Sequence, residues 1–458
     1  MSVGTKEALA ATGARTLAPE RLPQTLRIST DTRTLQPGET FLALRGPNFD
    51  GHRFVRAALE RGALALVVSE PEVVPEGTPA LVVPETTAAY LAFAAAARRS
   101  LDARVVAITG STGKTTTRSL LAQLVDRAGL GRVASTPANE NNEIGVGKLF
   151  LSLDERTKIV VAEFGCRNFG DIEPLVAIAA PDIAILTNVG DAHLEIMGSR
   201  ERLIETKFGI FAGGALPILN VCDPVSRARA PQLAREPRWF AALDAMTGDL
   251  PAGHVTLVGR DRAIVQSAEG RIELPLDVRL PGAHNRANLA AAFAAALALG
   301  ADPALLCEIV PHLALPAGRY ERSQLGAYEI IFDAYNASPA GTIATLGSFA
   351  QERAARRIAV LSSMAELGPE APQLHERVGE AAARAGLELL FVGGDFADEL
   401  ARGAREAGFG GERILRFGDN AAAAGALRER VMPGDLILFK GSRMYRLEEI
   451  VRALRADG

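Results

Sequence analysis

Short runs of β-branched and aliphatic residues alternate along this chain with stretches whose apolar positions recur at helical spacing. That alternation predicts an α/β protein with mostly parallel sheets. Val105–Ile108 reads as a buried strand that leads through a glycine-containing turn into a helix-permissive segment, Thr115 to Ala128. Ahead of it, Leu64–Val68 and Leu81–Val83 read as short strands, with helices over Phe54–Arg61 and Thr86–Arg99. Behind it, Lys158–Gly165 and Ile183–Asn188 read as buried strands ending in polar residues. Val255–Val278 alternates around Gly259 and Gly270 as antiparallel hairpins do, and an Ala/Leu helix then reaches Leu299. From Tyr328 the grammar is regular. Strands at Tyr328–Phe332, Ile358–Leu361, Leu387–Val392, Ile414–Phe417 and Leu436–Phe439 are separated by helical patterns.

With 458 residues the chain is too long for one core. The pattern divides it into a small α/β domain over 1–102, a central domain over 103–317 with a mostly parallel sheet, and a Rossmann-like α/β domain over 318–458. Hydrophobic content of 48% and charged content of 23% are those of a soluble globular protein. A net charge of -4, with no Lys/Arg stripe between aromatics, argues against a nucleic-acid partner. The longest largely apolar stretch, Ala287 to Leu299, is too short to span a bilayer, and the N-terminus lacks a signal pattern, so no membrane role is expected. Cys166, Cys222 and Cys307 are widely spaced, forming neither a disulfide framework nor a metal knuckle, which fits a reducing cytoplasm.

The chemistry starts at Thr109-Gly-Ser-Thr-Gly-Lys-Thr-Thr116. Unpaired N–H groups at a helix start, reinforced by the helix dipole, favour an anion. Gly110 and Gly113 let the backbone approach it, Lys114 supplies a charge for β/γ-phosphate oxygens, and the Thr115 hydroxyl suits Mg²⁺. The usual first glycine is replaced by Ile108, leaving a shorter form of the motif. We read Gly110, Ser111, Thr112, Gly113, Lys114, Thr115 and Thr116 as a nucleoside triphosphate site.

Other polar positions gain meaning beside it. Glu163 ends a strand where a Mg²⁺ ligand is expected, and His193 follows another strand beside Asp191. The loop 136–145 is a long turn, or Asn141 and Asn142 bind a second substrate. Asn285 caps its helix, or pairs at i,i+3 with Asn288 to read a purine edge. Residues 45–52 are turn chemistry, or a ligand loop with Phe49 for stacking. Lys207 reads as a solvated helical face. In the last domain, Asp333–Asn336 and Lys440–Arg443 stand at strand ends where ligands bind, whereas Gly393–Asp395 and Gly418–Asn420 read as turns and caps. These parts suit a kinase, a ligase or an ATP-driven switch, and the residues alone do not separate them.

Taken in order, the pieces resemble the Mur ligases over nearly the whole chain. They are Asp31-Thr-Arg33 with Pro37-Gly38; Phe49-Asp-Gly-His52; the Gly110–Thr116 loop; Asn141-Asn-Glu-Ile-Gly145; Thr187–His193; Leu280–Asn285; Gly318-Arg319; Asp333–Asn336; Met364–Gly368 with Leu374-His375; and Lys440-Gly-Ser442. The resemblance implies ATP on Gly110–Thr116, adenine near Asn285 and Asn288, and Arg319 and Asp333 closing over the nucleotide. It implies one Mg²⁺ on Thr115 and Glu163, and a second on His193 with a carbamoylated Lys207. A carbamate turns an ammonium into an anionic oxygen ligand. Lys114, His193, Lys207 and Arg319 would be the catalytic residues. Ser29, Thr30, Arg33, Asn48, Asp50, Gly51 and His52, with Asn141 and Asn142, would bind a uridine nucleotide-linked peptide, and Asn336 the incoming amine.

The implied reaction is ATP-dependent amide formation through an acyl phosphate, adding D-alanyl-D-alanine to a UDP-N-acetylmuramoyl-tripeptide in the cytoplasm, by a monomer. A sister ligase adding one amino acid or a depsipeptide is the alternative; an ATP-driven switch is the alternative of another class. The chain departs from the family's usual residues at Gly147 (Pro), Phe332 (Asp), Ser338 (Asn) and Ser362-Ser363 (Gly-Asp).

Overall fold

The computed structural model describes residues 2–46, 48–190 and 194–456. They group into two compact units, Met1–Ala107 with Gly129–Gly165 and Asp171–Asp182, and Ile108–Ala128 with Cys166–Gly170 and Ile183–Gly458.

In the first unit, five strands run in the order Arg15–Leu17, Ala80–Val82, Ala65–Val68, Thr40–Leu42, Ile28–Ser29. Every neighbouring pair is parallel except the outermost, Arg15–Leu17 against Ala80–Val82. Parallel strands are covered on both faces and so read as continuous apolar runs; Ala65–Val68 is buried at all four positions. A second parallel pair, Arg132–Ser135 with Thr157–Glu163, belongs to the same unit. Helix Thr86–Arg99 follows its expected bounds, its start capped by Glu85, whose carboxylate accepts from Thr87 N.

That helix packs on Glu143–Ser152 and Ile172–Ala179. Here the departure at Gly147 finds its reason. A Cβ at Gly147 would lie 2.6 Å from Tyr90 Cε1, and the Tyr90 hydroxyl donates to Ile144 O at 3.0 Å. The ring occupies the space that a larger residue would need. Residues 136–145 are not a turn throughout, as one reading expected, because the helix has begun by Glu143. Asn142 caps it, accepting from Gly145 N at 2.9 Å.

In the second unit, helix Lys114–Arg127 packs against Ala283–Ala298. The latter lies on Arg238–Ala242 and Val255–Val258, which continue a parallel series from Ile183–Leu186 and Leu216–Asn220. Arg262–Ser267 and Gly270–Pro275 complete the expected antiparallel hairpins. The final sheet has the order Glu321–Leu325, Tyr328–Phe332, Asp435–Lys440, Arg356–Ser362, Leu389–Gly393, Ile414–Phe417, parallel except at its first pair. The last strand lies between Tyr328–Phe332 and Arg356–Ser362, which brings Asp333, Lys440 and Ser362 to neighbouring carboxyl ends. No helix among the described residues is long and apolar enough to cross a membrane.

Candidate active site

The strand Arg104–Thr109 is buried beyond its first residue, which anchors the start of the phosphate loop. Gly110 and Gly113 have φ of 144° and 84°. A Cβ would lie 1.9 Å from Thr187 Oγ1 at the first and 2.3 Å from Asn288 Oδ1 at the second, so glycine is required for both conformation and space. Three side chains from other segments brace the loop. Thr187 Oγ1 donates to Thr112 O at 2.6 Å. Asn188 Nδ2 donates to Thr112 Oγ1 at 2.9 Å, and its Oδ1 accepts from Thr112 N at 3.2 Å. Thr117 Oγ1 donates to Asn288 Oδ1 at 3.4 Å. Ser111 N donates to Asn188 O, and Ser111 Oγ accepts from Gly190 N. Lys114 Nζ donates to Gly110 O at 2.7 Å, which holds the ammonium over the turn. Thr115 is partly exposed and Thr116 buried in the first helical turn.

Asn285 does not cap its helix, contrary to one reading. The helix starts at Ala283 after Gly282, and the buried Asn285 donates through Nδ2 to Pro281 O at 2.9 Å. Its Oδ1 accepts from Asn288 Nδ2 at 3.4 Å. Asn288 therefore meets the phosphate loop, and Asn285 ties it to the turn before the helix. Beside that turn lies a cavity of about 760 Å³, lined among others by Asp244, Arg260, Arg279, His284, Tyr320 and Ser348. His284 Nδ1 lies 3.1 Å from Ser348 Oγ. Burial pushes the His284 imidazole down to about 4. Arg286, nearly fully buried, pairs with Asp244 on the same wall.

At the carboxyl ends of the last sheet, Lys440 Nζ donates to Asp333 Oδ2 at 2.9 Å and to Asn336 O at 3.0 Å. Thr345 Oγ1 donates to the same Asp333 oxygen at 2.7 Å. Burial alone would raise the Asp333 carboxyl, but the Lys440 ammonium, the Thr345 hydroxyl and the charge of Arg319 together hold the group below its ordinary range. Arg319 stacks over Tyr335, 4.7 Å from the ring centroid, and the exposed Asn336 accepts through Oδ1 from Ala337 N. The sequence placed Asp333–Asn336 and Lys440–Arg443 at ligand-bearing strand ends, but not the pairing of Asp333 with Lys440, which are 107 positions apart.

Most departures from the family's residues have local partners too. Phe332 packs against Phe439, Ser338 caps the helix Pro339–Phe349 through Gly341 N, and Ser363 accepts from Phe396 N. Ser and Asn are comparable N-caps, so the change at 338 keeps its structural role. His375, part of the family-like pattern, accepts from Met364 N at 2.8 Å and so orders the adjoining loop.

In the first unit, Glu163 is 2% exposed and accepts from Asn141 Nδ2 at 3.0 Å. Asn141 is thus committed to the carboxylate, and Asn142 to its helix. Lys207 differs sharply from a solvated helical face: it is 1% exposed, with Nζ 3.5 Å from Cys166 Sγ. His193 and Asp191 lie outside the described residues. No cluster of three or more His, Cys, Asp or Glu side chains poised for a metal occurs among the described residues.

The expected nucleotide loop of the first unit is organised internally. Asp31 accepts from Arg33 N, Nε and Nη2, and these bonds hold its carboxyl down at about 2. Ser29 Oγ donates to Asp31 O at 3.4 Å, and Thr30 is partly exposed. In the next loop, Gly51 N donates to Leu44 O, while Asn48 and Phe49 are exposed and the Phe49 and Phe54 rings stack at 5.8 Å. His52 Nε2 accepts from Ser69 N at 2.9 Å, which leaves Nδ1 to donate to Asp50 at 2.8 Å. His52 spends both nitrogens on positioning the loop.

A braced glycine turn at a helix start, on a parallel α/β framework with polar strand ends, defines a nucleotide-dependent α/β enzyme. Three family models match in order: the Mur ligase family catalytic domain over 27–101, the Mur ligase middle domain over 108–296, and the Mur ligase glutamate ligase domain over 318–443. The UDP-N-acetylmuramoyl-tripeptide–D-alanyl-D-alanine ligase of a Synechocystis species is 36% identical over 449 residues, covering 96% of this chain and 95% of its own. A crystal structure of MurF from Acinetobacter baumannii matches with a TM-score of 0.85 at 26% identity, covering 100% of this chain and 99% of that one. MurF ligase from Thermotoga maritima, crystallised with ADP, matches at 0.79 and 27%, covering 94% and 97%. The chain belongs to the Mur ligase family.

Proposed function

We propose that this chain joins D-alanyl-D-alanine to a UDP-N-acetylmuramoyl-tripeptide, with cleavage of ATP to ADP and phosphate. The observation that carries the reading is its end-to-end likeness, at 36% identity, to a ligase of that name. In this reading residues 1–102 bind the uridine nucleotide through Ser29–Arg33 and the 48–52 loop, 103–317 bind ATP, and 318–458 bring the amine. It acts as a cytoplasmic monomer, in keeping with its free cysteines.

The terminal carboxylate of the tripeptide attacks the γ-phosphorus, the bond to the β-phosphate oxygen breaks, and ADP leaves. The amine of the dipeptide then attacks the acyl carbon. An amide forms, phosphate departs, and the amine surrenders a proton. Phosphoryl transfer rests mainly on positioning and charge neutralisation. Gly110–Thr116 supply a preset cradle and Lys114 a charge; Arg319 and Asp333 close over the nucleotide, and the cavity beside His284 receives its base near Asn285. Asn336 lies beside the incoming amine.

Thr115 and Glu163 are hard oxygen donors of the kind Mg²⁺ takes, and that ion would neutralise phosphate charge when bound. Lys207 as an amine is no metal ligand. Its burial, with Nζ 3.5 Å from the Cys166 thiol, fits an amine that is carbamoylated to join His193 in holding a second ion.

The test is phosphate release across a matrix of UDP-muramoyl peptides and candidate amines. Release that depends on both a tripeptide and D-alanyl-D-alanine supports the reading. Preference for a single amino acid or a depsipeptide makes it a sister ligase, and ATP turnover without amide product overturns it.

A further inference from the structure

Among the described residues Lys207 is the largest polar side chain that is fully buried, and its amine faces a sulfur. Cys166 is itself 7% exposed and lies 3.5 Å from Lys207 Nζ. The two come from separate segments, the turn after Phe164 and the helix Arg200–Phe208, so their approach is a product of the fold rather than of sequence proximity. A buried thiol and a buried amine held in contact are a nucleophile and its trap. We propose that Cys166 and Lys207 form a reversible sulfenamide cross-link under peroxide, a modification that shuts off the carbamoylation of Lys207.

The chemistry balances with hydrogen peroxide as the oxidant. Sulfur attacks one peroxide oxygen, the O–O bond breaks, and the departing hydroxide takes the thiol proton to leave as water. Cys166 is then a sulfenic acid, oxidised by two electrons, and the peroxide is reduced by two. Next, Lys207 Nζ attacks the sulfur. The S–O bond breaks, an S–N bond forms, and hydroxide leaves with one amine proton as a second water. Sulfenic acids condense with a thiol or with a backbone nitrogen, and here the amine nitrogen of Lys207 stands 3.5 Å from the sulfur. A free thiol reverses the bond: it attacks Cys166 sulfur, returns the Lys207 amine, and a second thiol then reduces the mixed disulfide. Cys222 and Cys307, the other two thiols, are exposed and partly exposed, and supply internal controls.

The cross-link follows from geometry alone. Its effect on activity rests on the proposed role of Lys207, because a nitrogen bonded to sulfur cannot take up carbon dioxide. The full-length protein, in a C222S/C307S background, is treated with peroxide and digested, and the peptides are weighed. The expected product joins the peptides of residues 166 and 207, lighter than their sum by two hydrogens, and disappears on adding dithiothreitol. High bicarbonate before treatment lowers its yield, and ligase activity falls and recovers in step with it. In C166S, activity resists peroxide. Recovery of Cys166 as sulfinic acid with Lys207 unlinked overturns the proposal, as does equal peroxide sensitivity in C166S. A cross-link that forms while activity is kept would leave the modification standing and sink the catalytic role of Lys207 instead.

Discussion

The phosphate loop and the Ser29–Arg33 loop are both expected to meet nucleotide phosphates or sugars, and they are built on opposite plans. Thr187, Asn188 and Asn288 reach the first from distant points of the chain and occupy its carbonyl, amide and hydroxyl groups. In the second, Asp31 bonds almost wholly to its own neighbour Arg33, whose side chain is 86% exposed. A loop that must meet charge developing in a transition state gains from having its donors already oriented, since nothing then has to reorganise during reaction. A loop that only recognises a substrate can keep its charges in water. Losses at the first should therefore appear in the kinetics of ATP use, and losses at the second only in affinity for the uridine substrate.

The severest challenge to this contrast is Gly110→Ala, which drives a methyl into Thr187 Oγ1 at a backbone angle that disfavours side chains. We expect kcat/KM for ATP to fall by roughly 10³, the scale of losing a transition-state donor. Near-normal steady-state kinetics would show that the loop is not preset.

Bracing also operates at Asp333. Lys440→Met leaves that carboxylate buried without its cation, and should cost about 3–5 kcal/mol of stability by denaturant unfolding. The double variant D333N/K440M should recover much of the loss, and failure to do so would mean the pair is not the source.

A third effect comes from the wall of the cavity. His284 binds a proton only near pH 4 when folded, against 6.5 when unfolded, because burial disfavours its charged form. Between those values the unfolded chain holds the extra proton. Stability is thus complete above pH 6.5 and declines as pH falls toward 4, by about 3 kcal/mol at roughly 1.4 kcal/mol per pKa unit. His284→Asn should flatten this limb of a stability–pH curve, and an unchanged limb would place its source elsewhere.

The smallest effects form a matched pair. Asn288→Ala should raise KM for ATP roughly tenfold, the value of one lost hydrogen bond of about 1.4 kcal/mol. Arg33→Ala should leave the melting temperature and the KM for ATP alone while raising KM for the uridine substrate, because exposed ion pairs add little to stability. If both variants shift the same constant, the two loops do not divide the labour as their structures indicate.

The strand, glycine turn and helix of residues 104–127 were readable from the sequence because they are contiguous, and local order suffices to recognise them. The braces on that turn were not, because Asn288 is more than 170 residues away along the chain and nothing local distinguishes a brace from a cap. Glu321–Leu325 escaped notice as a strand because Glu-Arg-Ser-Gln-Leu lacks an apolar run; it lies at a sheet edge, where polar side chains are tolerated. Lys207 was misjudged as solvated for a similar reason. Burial of a lone lysine depends on what packs around it, and Cys166 is separated from it by 41 positions. The partners of His52 were not readable either, because Ser69, which donates to its Nε2, lies 17 positions away.

The most direct measurement follows the oxygen atoms. A UDP-muramoyl-tripeptide carrying oxygen-18 in its terminal carboxylate is incubated with ATP and D-alanyl-D-alanine, and the released phosphate is analysed by mass spectrometry. Activation of the carboxylate by the triphosphate held at Gly110–Thr116 predicts one oxygen-18 in each phosphate released with each amide formed. Unlabelled phosphate released alongside the amide would contradict it.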